Sequence, residues 1–371
     1  MGRVSRRNAN SSSPESLIQV VDFFSGCGGT SAGLRQAGCD IVAGIDSDPE
    51  AATTFQKNFP EATHFCDDIG DVKTAALEPL LRPRKTHLLL FSACAPCQPF
   101  SKQRRGKRKR DDDRVPLLLR LRRFIRFYKP ELLFVENVPG LQSLSDNFGP
   151  FTAFTAFLKR EGYSMDTRVI ESSSYGVPQR RRRLVLLASR LGPIAVPKPT
   201  HGPGTGRPYS TVWDWIGDLP PIAAGEEHPK VPNHRASDLS PLNLERIRAT
   251  PEGGGREHWP SHLLAECHRD GYDGHTDVYG RMRRDALATG LTTRCISFSN
   301  GRFGHPTQDR AISVREAAAL QTFPPRFVFT GSLNSMARQV GNAVPVLLAR
   351  KIGVHLRSHA RRFATALQEA A

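Results

Sequence analysis

A chain of 371 residues is long enough to bury the core of one large α/β domain and of a smaller second one. Hydrophobic residues make up 39% and charged residues 24%, which excludes a disordered protein, and no apolar stretch is long enough to cross a bilayer. Lysines and arginines number 52 against 36 acidic residues, and the formal net charge of +16 predicts a polyanionic partner, most commonly nucleic acid.

The N-terminal segment and the cysteines indicate where the protein works. Residues 1–16 are basic and serine-rich without the apolar segment of a secretory signal, so they are predicted to be a disordered arm. The seven cysteines are odd in number and irregularly spaced. This usage favours a reducing cytoplasm over a disulfide framework.

The first half of the chain alternates short apolar runs with amphipathic stretches, the pattern of a doubly wound α/β domain with a parallel sheet and crossover helices. The predicted strands are residues 18–24, 40–45, 63–66, 87–92, 132–136, 168–171 and 184–188. The predicted helices between them are residues 30–37, 49–58, 74–81, 116–128 and 150–161.

The composition changes after about residue 190, where proline and glycine become frequent and regular periodicity fades. Helical patterns return at residues 314–321 and 335–357. We therefore predict one domain from residues 17–190 plus 335–360, a second domain from residues 191–334, and a tail at 361–371.

A glycine-rich turn follows the first predicted strand, in DFFSGCGGTSAGL at residues 22–34. Its glycines allow a sharp turn that brings backbone amides close to a ligand at a helix N-terminus. Asp46 ends the second strand and could accept ribose hydroxyls, while Asp68 follows the third strand and could accept from an adenine amino group. The alternative is that both carboxylates only cap the helices after them.

The stretch FSACAPCQPFS, residues 91–101, places Cys94 and Cys97 at the carboxyl end of the fourth strand, where open α/β sheets bind ligands. A C-x-x-C pair occurs in disulfide oxidoreductases and in zinc sites, and one thiol could instead be a nucleophile. Glu136 ends the neighbouring fifth strand. A thiol and a carboxyl that face one pocket suit covalent attack with acid assistance.

Six motifs follow one another along the chain: DFFSGCGG, APCQPFS, FVENV, YGVPQRRRR, SVREAAALQTFP and RQVGNAVP. In this order and spacing, the chain resembles the DNA cytosine-5 methyltransferase family of bacterial type. The resemblance implies a Rossmann-like S-adenosylmethionine-dependent methyltransferase sheet with a smaller target-recognition domain. It also implies S-adenosylmethionine as the methyl donor and no metal.

The resemblance also implies roles for particular residues. Cys97 would be the nucleophile and Glu136 would engage the cytosine ring. Arg181 and Arg183 would help to hold the flipped base and Glu136. The implied cofactor-binding residues are Phe24, Gly26, Gly28, Gly29, Asp46, Asp68, Pro96, Asn342 and Val344.

The family's chemistry explains why these residue types are needed. Cytosine C5 is a poor nucleophile, so a Cys97 thiolate must add to C6 before C5 can take the methyl group. A protonated Glu136 at N3 would stabilise the charge that develops in the ring, with electrostatic help from Arg183. A base then removes the C5 proton, and Cys97 leaves by elimination.

Because C5 and C6 lie inside the stacked duplex, the target nucleotide must be flipped out. The loop at residues 101–114 closes over DNA in the family, and the implied DNA-binding residues are Gln98, Ser101, Arg104 and Arg105. For any single cation there, a solvated charge is an equally good interpretation. The resemblance implies a cytoplasmic monomer at the nucleoid that acts on double-stranded DNA, with a restriction endonuclease as a partner that it does not touch.

Three alternatives stay open from the sequence: a tRNA cytosine-5 methyltransferase on the same scaffold, a DNA-binding relative without turnover, and a dehydrogenase that uses the glycine turn alone. The chain also departs from the family at three places. Ala93 and Cys94 stand where the family usually has two glycines, Asp46 replaces the usual glutamate, and Arg284 stands where an aromatic residue is expected.

Overall fold

A seven-stranded mixed sheet forms the centre of the protein in a computed structural model that describes residues 18–83, 86–95, 117–139, 149–264, 266 and 277–369. The strands are β1 (Ile18–Phe23), β2 (Asp40–Ile45), β3 (Thr63–Phe65), β4 (Leu88–Ala93), β5 (Leu132–Asn137), β6 (Ser164–Glu171) and β7 (Arg182–Ser189). Their order across the sheet is β3-β2-β1-β4-β5-β7-β6. The predicted α/β class and the seven predicted strand positions are confirmed.

The described residues also form nine α-helices. They are α1 (Gly29–Gln36), α2 (Pro49–Asn58), α3 (Leu117–Tyr128), α4 (Pro150–Arg160), α5 (Trp213–Ile216), α6 (Pro241–Arg248), α7 (Val314–Leu320), α8 (Leu333–Asn342) and α9 (Val346–Glu369). The helices α5 and α6 lie where the sequence showed no regular periodicity. None of the helices in the described ranges is long and apolar enough to span a membrane.

One edge of the sheet is antiparallel, which corrects the prediction of a parallel sheet. Strand β7 runs antiparallel to both β5 and β6. The chain passes from β6 to β7 through residues 172–181, which begin with the 3₁₀ turn Ser172–Tyr175. A parallel return needs a crossover of about a dozen residues or more, so this short connection permits only the antiparallel direction.

Two predicted helices are also wrong in detail. Residues 74–81 were expected to be α-helical but form a 3₁₀ helix, Thr74–Leu80, because Pro79 lies inside the segment and cannot donate a backbone hydrogen bond. Residues 335–357 were expected to be one helix but form α8 and α9. The break follows from Pro345, which disfavours helical geometry at the residue before it and lacks an N–H.

The sheet separates two apolar cores, because alternate residues of each strand face opposite sides. In β1, Val21 and Phe23 face the core shared with α3 and α4, while Ile18 and Val20 face the core shared with α1, α7, α8 and α9. A third, small core under α6 includes Ile247, Trp259 and Phe298. Glu136 and Arg183, which belong to the site described below, lie on the α1 and α9 side.

Helix α1 and helix α9 approach each other closely at two glycines. A Cβ atom on Gly33 would meet the backbone of Val346 and the side chain of Ala349, and one on Gly29 would lie 2.8 Å from the carbonyl oxygen of Val344. Any larger residue would force the helices apart. This contact brings the C-terminal segment beside the turn that follows β1.

Asp22 is a fully buried carboxyl group beneath that turn. It accepts hydrogen bonds of 2.6 Å from the hydroxyls of Ser31 on α1 and Ser92 on β4. Burial raises the pKa of Asp22 to about 6, against the lowering effect of these hydroxyls. The Asp22 carboxyl group therefore joins β1, α1 and β4. Its burial in an apolar site destabilises its ionised form.

The Asp22→Asn variant should show a pH-dependent gain in stability over the wild type. Folded Asp22 binds its proton more tightly than the unfolded chain, so wild-type stability from this group falls as pH rises from about 4 to about 6. The difference in unfolding free energy should change by roughly 3 kcal/mol across that window. Chemical denaturation at pH 4 and pH 7.5 measures it. The exposed Asp218→Asn serves as control, and an Asp22→Asn difference that is constant with pH contradicts the prediction.

Candidate active site

The turn after β1 has a backbone that is built around glycine. Phe24, Gly26 and Gly28 all have left-handed φ angles, of 57°, 51° and 96°. At Gly28 a Cβ atom would also lie 2.5 Å from the Phe59 ring. The left-handed conformation is costly for Phe24, and such strain occurs most often at binding sites.

Space for a ligand lies beside Gly26, because a Cβ atom there would meet no atom within 4 Å. The Gly26 N–H donates to Asp46 Oδ2 at 2.8 Å, and the Asp48 N–H donates to Asp46 Oδ1 at 2.9 Å. Burial raises the pKa of Asp46 despite these bonds. Each Asp46 oxygen keeps further lone-pair capacity for a ligand hydroxyl.

The last motif of the chain reaches the same turn. Gly29 packs against Ala343 and Val344, so buried Val344 and exposed Asn342 lie near the start of α1. On the other flank, Asp68 follows β3, whose Phe65 carbonyl accepts from the Asp46 N–H at 3.1 Å. The structure thus brings the described members of the predicted cofactor set to one edge of the sheet. Pro96 lies outside the described residues.

Cys94 lies at the end of β4, beside the glycine turn. Its N–H donates to the Phe23 carbonyl at 3.3 Å, and its Sγ lies 3.4 Å from the hydroxyl of Thr30. Burial raises the pKa of the Cys94 thiol well above its ordinary value of 9.0. Cys94 therefore stays a neutral thiol. The predicted nucleophile Cys97 and the predicted DNA contacts Gln98, Ser101, Arg104 and Arg105 lie outside the described residues.

Glu136 and Arg183 form an ion pair on the same face of the sheet. Strand β5 pairs with β7 so that Glu136 lies opposite Val185, which makes Arg183, two residues earlier, a diagonal neighbour on that face. Arg183 Nε lies 2.6 Å from Glu136 Oε1, and the two side chains are only 16% and 9% exposed. The pair is therefore strongly coupled and poorly screened by solvent.

Asn137 connects this ion pair to the end of β4. Its Nδ2 donates to the Ala95 carbonyl at 3.2 Å, immediately before Pro96-Cys97 in sequence. Parallel pairing of β4 and β5 brings the two segments side by side. The polar end of β5 thus holds the chain where the segment with Cys97 begins.

Arg181 has different partners from those expected. Its guanidinium donates to the carbonyls of Leu291, Gly341 and Ala343 at 2.9 to 3.1 Å, and not to Glu136. Burial and the nearby Arg183 lower the pKa of Arg181 to about 9. Arg181 therefore fastens the strand that carries Arg183 to two segments distant in sequence.

Gln179 makes a similar set of contacts, which sequence reasoning did not single out. It is fully buried, donates to the Leu320 carbonyl and to Gln321, and accepts from the Leu291 N–H. Thr30 and Asn137 were likewise passed over as partners of residues 94 and 95. The sequence signal that could have found Gln179, Thr30 and Asn137 is their position in or beside the six motifs.

The sheet, its glycine-rich first turn and the acidic residues that follow β2 and β3 define the fold of S-adenosylmethionine-dependent methyltransferases. Solved structures agree in fold. A prophage-encoded DNA modification methyltransferase from E. coli matches with a TM-score of 0.69 and 21% identity, over 92% of this chain and 99% of that one. The S. pombe Dnmt2 methyltransferase matches with a TM-score of 0.57 and 17% identity, over 92% and 98% of the two chains.

Sequence comparison identifies the family. The profile described as "C-5 cytosine-specific DNA methylase" matches residues 18–358, and the chain belongs to this family. It is 40% identical to the type II methylase M.HgiDII of Herpetosiphon aurantiacus, over 94% of this chain and 97% of the relative. It is 32% identical to the type II methyltransferase M1.HphI of Haemophilus parahaemolyticus, over 90% and 85% of the two chains. The predicted family and enzyme class are confirmed.

Replacing Arg183 with alanine should lower kcat for methyl transfer by at least about 100-fold, as expected when a charge partner is removed from a poorly solvated catalytic site. The cause is that Glu136 loses its ion-pair partner inside a poorly solvated site. Radioactive methyl incorporation at saturating DNA measures the effect.

Arg182→Ala is the matched control, because Arg182 is adjacent in sequence but 66% exposed and pairs with Glu171 outside the site. Its kcat should stay within about twofold of wild type, the change expected for loss of an exposed ion pair. Equal losses in the two variants would show that the Glu136 pair has no special role.

Proposed function

We propose that the protein methylates C5 of one cytosine in a specific double-stranded DNA sequence, as the modification half of a restriction system. The observation that supports this most is the Glu136–Arg183 ion pair, which lies on the face of the sheet that packs against α1. Beside it, Asn137 bonds to the backbone of Ala95, two residues before Cys97. The excess of 52 basic over 36 acidic residues suits a DNA substrate. The relatives named type II support the restriction context.

Within this proposal, the residues at the glycine turn bind the methyl donor. S-adenosylmethionine, when bound, supplies the methyl group. Gly26 leaves the space that a ligand needs, and Asp46 borders that space through its bond to the Gly26 N–H. Asp46 is the proposed hydrogen-bond acceptor for ribose, and Asp68 is the proposed acceptor for adenine. Phe24, Gly28, Gly29, Asn342 and Val344 shape the same edge, and Pro96 completes the proposed set.

The chemical steps fall to Cys97 and Glu136. The Cys97 thiolate adds to C6 of the flipped cytosine and displaces an electron pair toward C5, which makes C5 nucleophilic. C5 would then take the methyl group from S-adenosylmethionine, with S-adenosylhomocysteine as the leaving group. Glu136 takes up a proton on Oε2 when the base binds and donates it in a hydrogen bond at N3, while Arg183 stays against Oε1. A base takes the C5 proton, and the released electrons restore the C5–C6 double bond as the Cys97 sulfur leaves.

DNA contacts in this proposal come from two parts of the chain. Gln98, Ser101, Arg104 and Arg105 meet the DNA around the flipped nucleotide, their cations binding phosphates. Residues 191–334 form the target-recognition domain, with residues 17–190 and 335–360 as the catalytic domain. We propose that the protein acts as a monomer in the cytoplasm, at the nucleoid, and that its endonuclease recognises the same sequence without direct contact.

Bisulfite sequencing of DNA from cells that express the protein tests this function. 5-Methylcytosine should be found in one recurring sequence context, and the Cys97→Ala variant should give none. Cys94→Gly should retain methylation, because the half-buried Cys94 thiol stays neutral and its Sγ lies against the Thr30 hydroxyl. Equal loss in both cysteine variants would restore the paired-cysteine interpretation.

The tRNA alternative needs a second assay. Purified protein with labelled S-adenosylmethionine should methylate duplex DNA and leave tRNA unlabelled. Label in tRNA alone would overturn the DNA assignment while leaving the cytosine-5 chemistry in place. A protein that binds DNA but labels neither substrate would be the silent relative.

A further inference from the structure

Two arginines of α3 hold the turn that follows β3. Arg123 Nη2 donates to the carbonyls of Ile69, Gly70 and Val72, at 2.5, 3.0 and 2.5 Å. Three carbonyls converge on one nitrogen because the chain folds back on itself, with the Asp71 N–H donating to the Asp68 carbonyl at 2.8 Å. A positively charged donor is well suited to three partial negative charges.

Arg120 lies three residues before Arg123 on the same helix and contacts the side chain of Asp68. Its Nη1 lies 2.6 Å from Asp68 Oδ1, and the Gly70 N–H donates to that same oxygen at 2.6 Å. Both contacts use Oδ1. Among the described residues, no hydrogen bond is made to Asp68 Oδ2, so this oxygen keeps its acceptor capacity.

The apolar side of the turn explains why α3 is the element that holds it. Ile69 and Val72 are almost fully buried and pack in the same core as Leu118, Leu121 and Ile125 of α3. Burial fixes the backbone of the turn, while the two arginines, on the exposed side of the helix, fix its carbonyls and its carboxylate. A Cβ atom on Gly70 would lie 2.8 Å from Arg120 Nη1, so a larger residue there would displace the Arg120 guanidinium.

We propose that Arg120 and Arg123 are positioning residues for the methyl donor, holding the 68–72 turn so that Asp68 presents Oδ2 to the adenine amino group. This rests on the proposed role of Asp68. A freely rotating carboxylate would lose side-chain entropy on binding, whereas Asp68 is already oriented by two donors on its other oxygen. The arginines touch neither adenine nor the reacting atoms.

The test uses two probes that bind without turnover: S-adenosylhomocysteine and its analogue that lacks the 6-amino group of adenine. Calorimetric titration of the full-length protein gives the ratio of their dissociation constants. Wild type should prefer the amino compound about tenfold, the worth of one hydrogen bond to a charged acceptor. In Arg120→Ala and Arg123→Ala this preference should fall to about threefold or less.

Several variants make the result specific. Arg120→Lys keeps the charge and should recover part of the preference. Arg126→Ala removes a cation of the same helix that pairs with Glu161 instead, and it should keep the wild-type ratio. In the transfer assay, Arg120→Ala should raise KM for S-adenosylmethionine with kcat and KM for DNA unchanged.

The possible results distinguish the positioning role of Arg120 and Arg123 from the proposed methylation of DNA. Equal weakening of both probes in Arg120→Ala and Arg123→Ala would mean a purely structural role, and no weakening would mean no role; either overturns the inference. If Asp68→Ala keeps the wild-type preference, the proposed contact between Asp68 and adenine fails. Methyl transfer to DNA is judged separately by bisulfite sequencing, so loss of the inference leaves the proposed function intact.

Discussion

The close contact between α1 and α9 is the constraint on which the site depends. Gly29 and Gly33 leave no room for a side chain, because the backbone of residues 344–346 lies directly against them. Core packing along α9 holds that backbone in place through Leu348, Ile352 and Leu356. Residues more than 300 positions apart thereby border one turn, and every proposed contact to the methyl donor from the last motif follows from this approach.

A second constraint is the alternation of side chains along the strands. Asp22, Cys94, Glu136 and Arg183 lie on one face of the sheet because the register of the strands places alternate residues of neighbouring strands side by side on that face. The residues between them, such as Phe91 and Val135, face the opposite core. Buried donors from Arg181 and Gln179 then connect this face to the segment at 288–291 and to α7 and α8. Glu136 is thus paired with Arg183, on a strand that contacts from both halves of the chain hold in place.

The strands were predictable because apolar runs bounded by glycines and charges leave little choice of structure, and the family followed from six ordered motifs. The direction of β7 was missed because strand propensity carries no information on pairing direction. The break at Pro345 was readable from the proline itself. The division of roles between Arg181 and Arg183 was not readable, since the carbonyls that bind Arg181 come from residues 291, 341 and 343. Adjacent arginines are indistinguishable until tertiary contacts are known.

The central claim is that one thiol, Cys97, attacks the flipped base while Cys94, only three residues before it, remains a half-buried neutral neighbour. The most direct measurement is to trap the protein on a duplex that carries 5-fluorocytosine at the methylated position and to map the modified peptide by mass spectrometry. Fluorine at C5 prevents the final elimination, so a covalent complex should accumulate with the DNA attached to Cys97. Attachment to Cys94, or no covalent complex on a duplex that the protein methylates when fluorine is absent, would contradict the account.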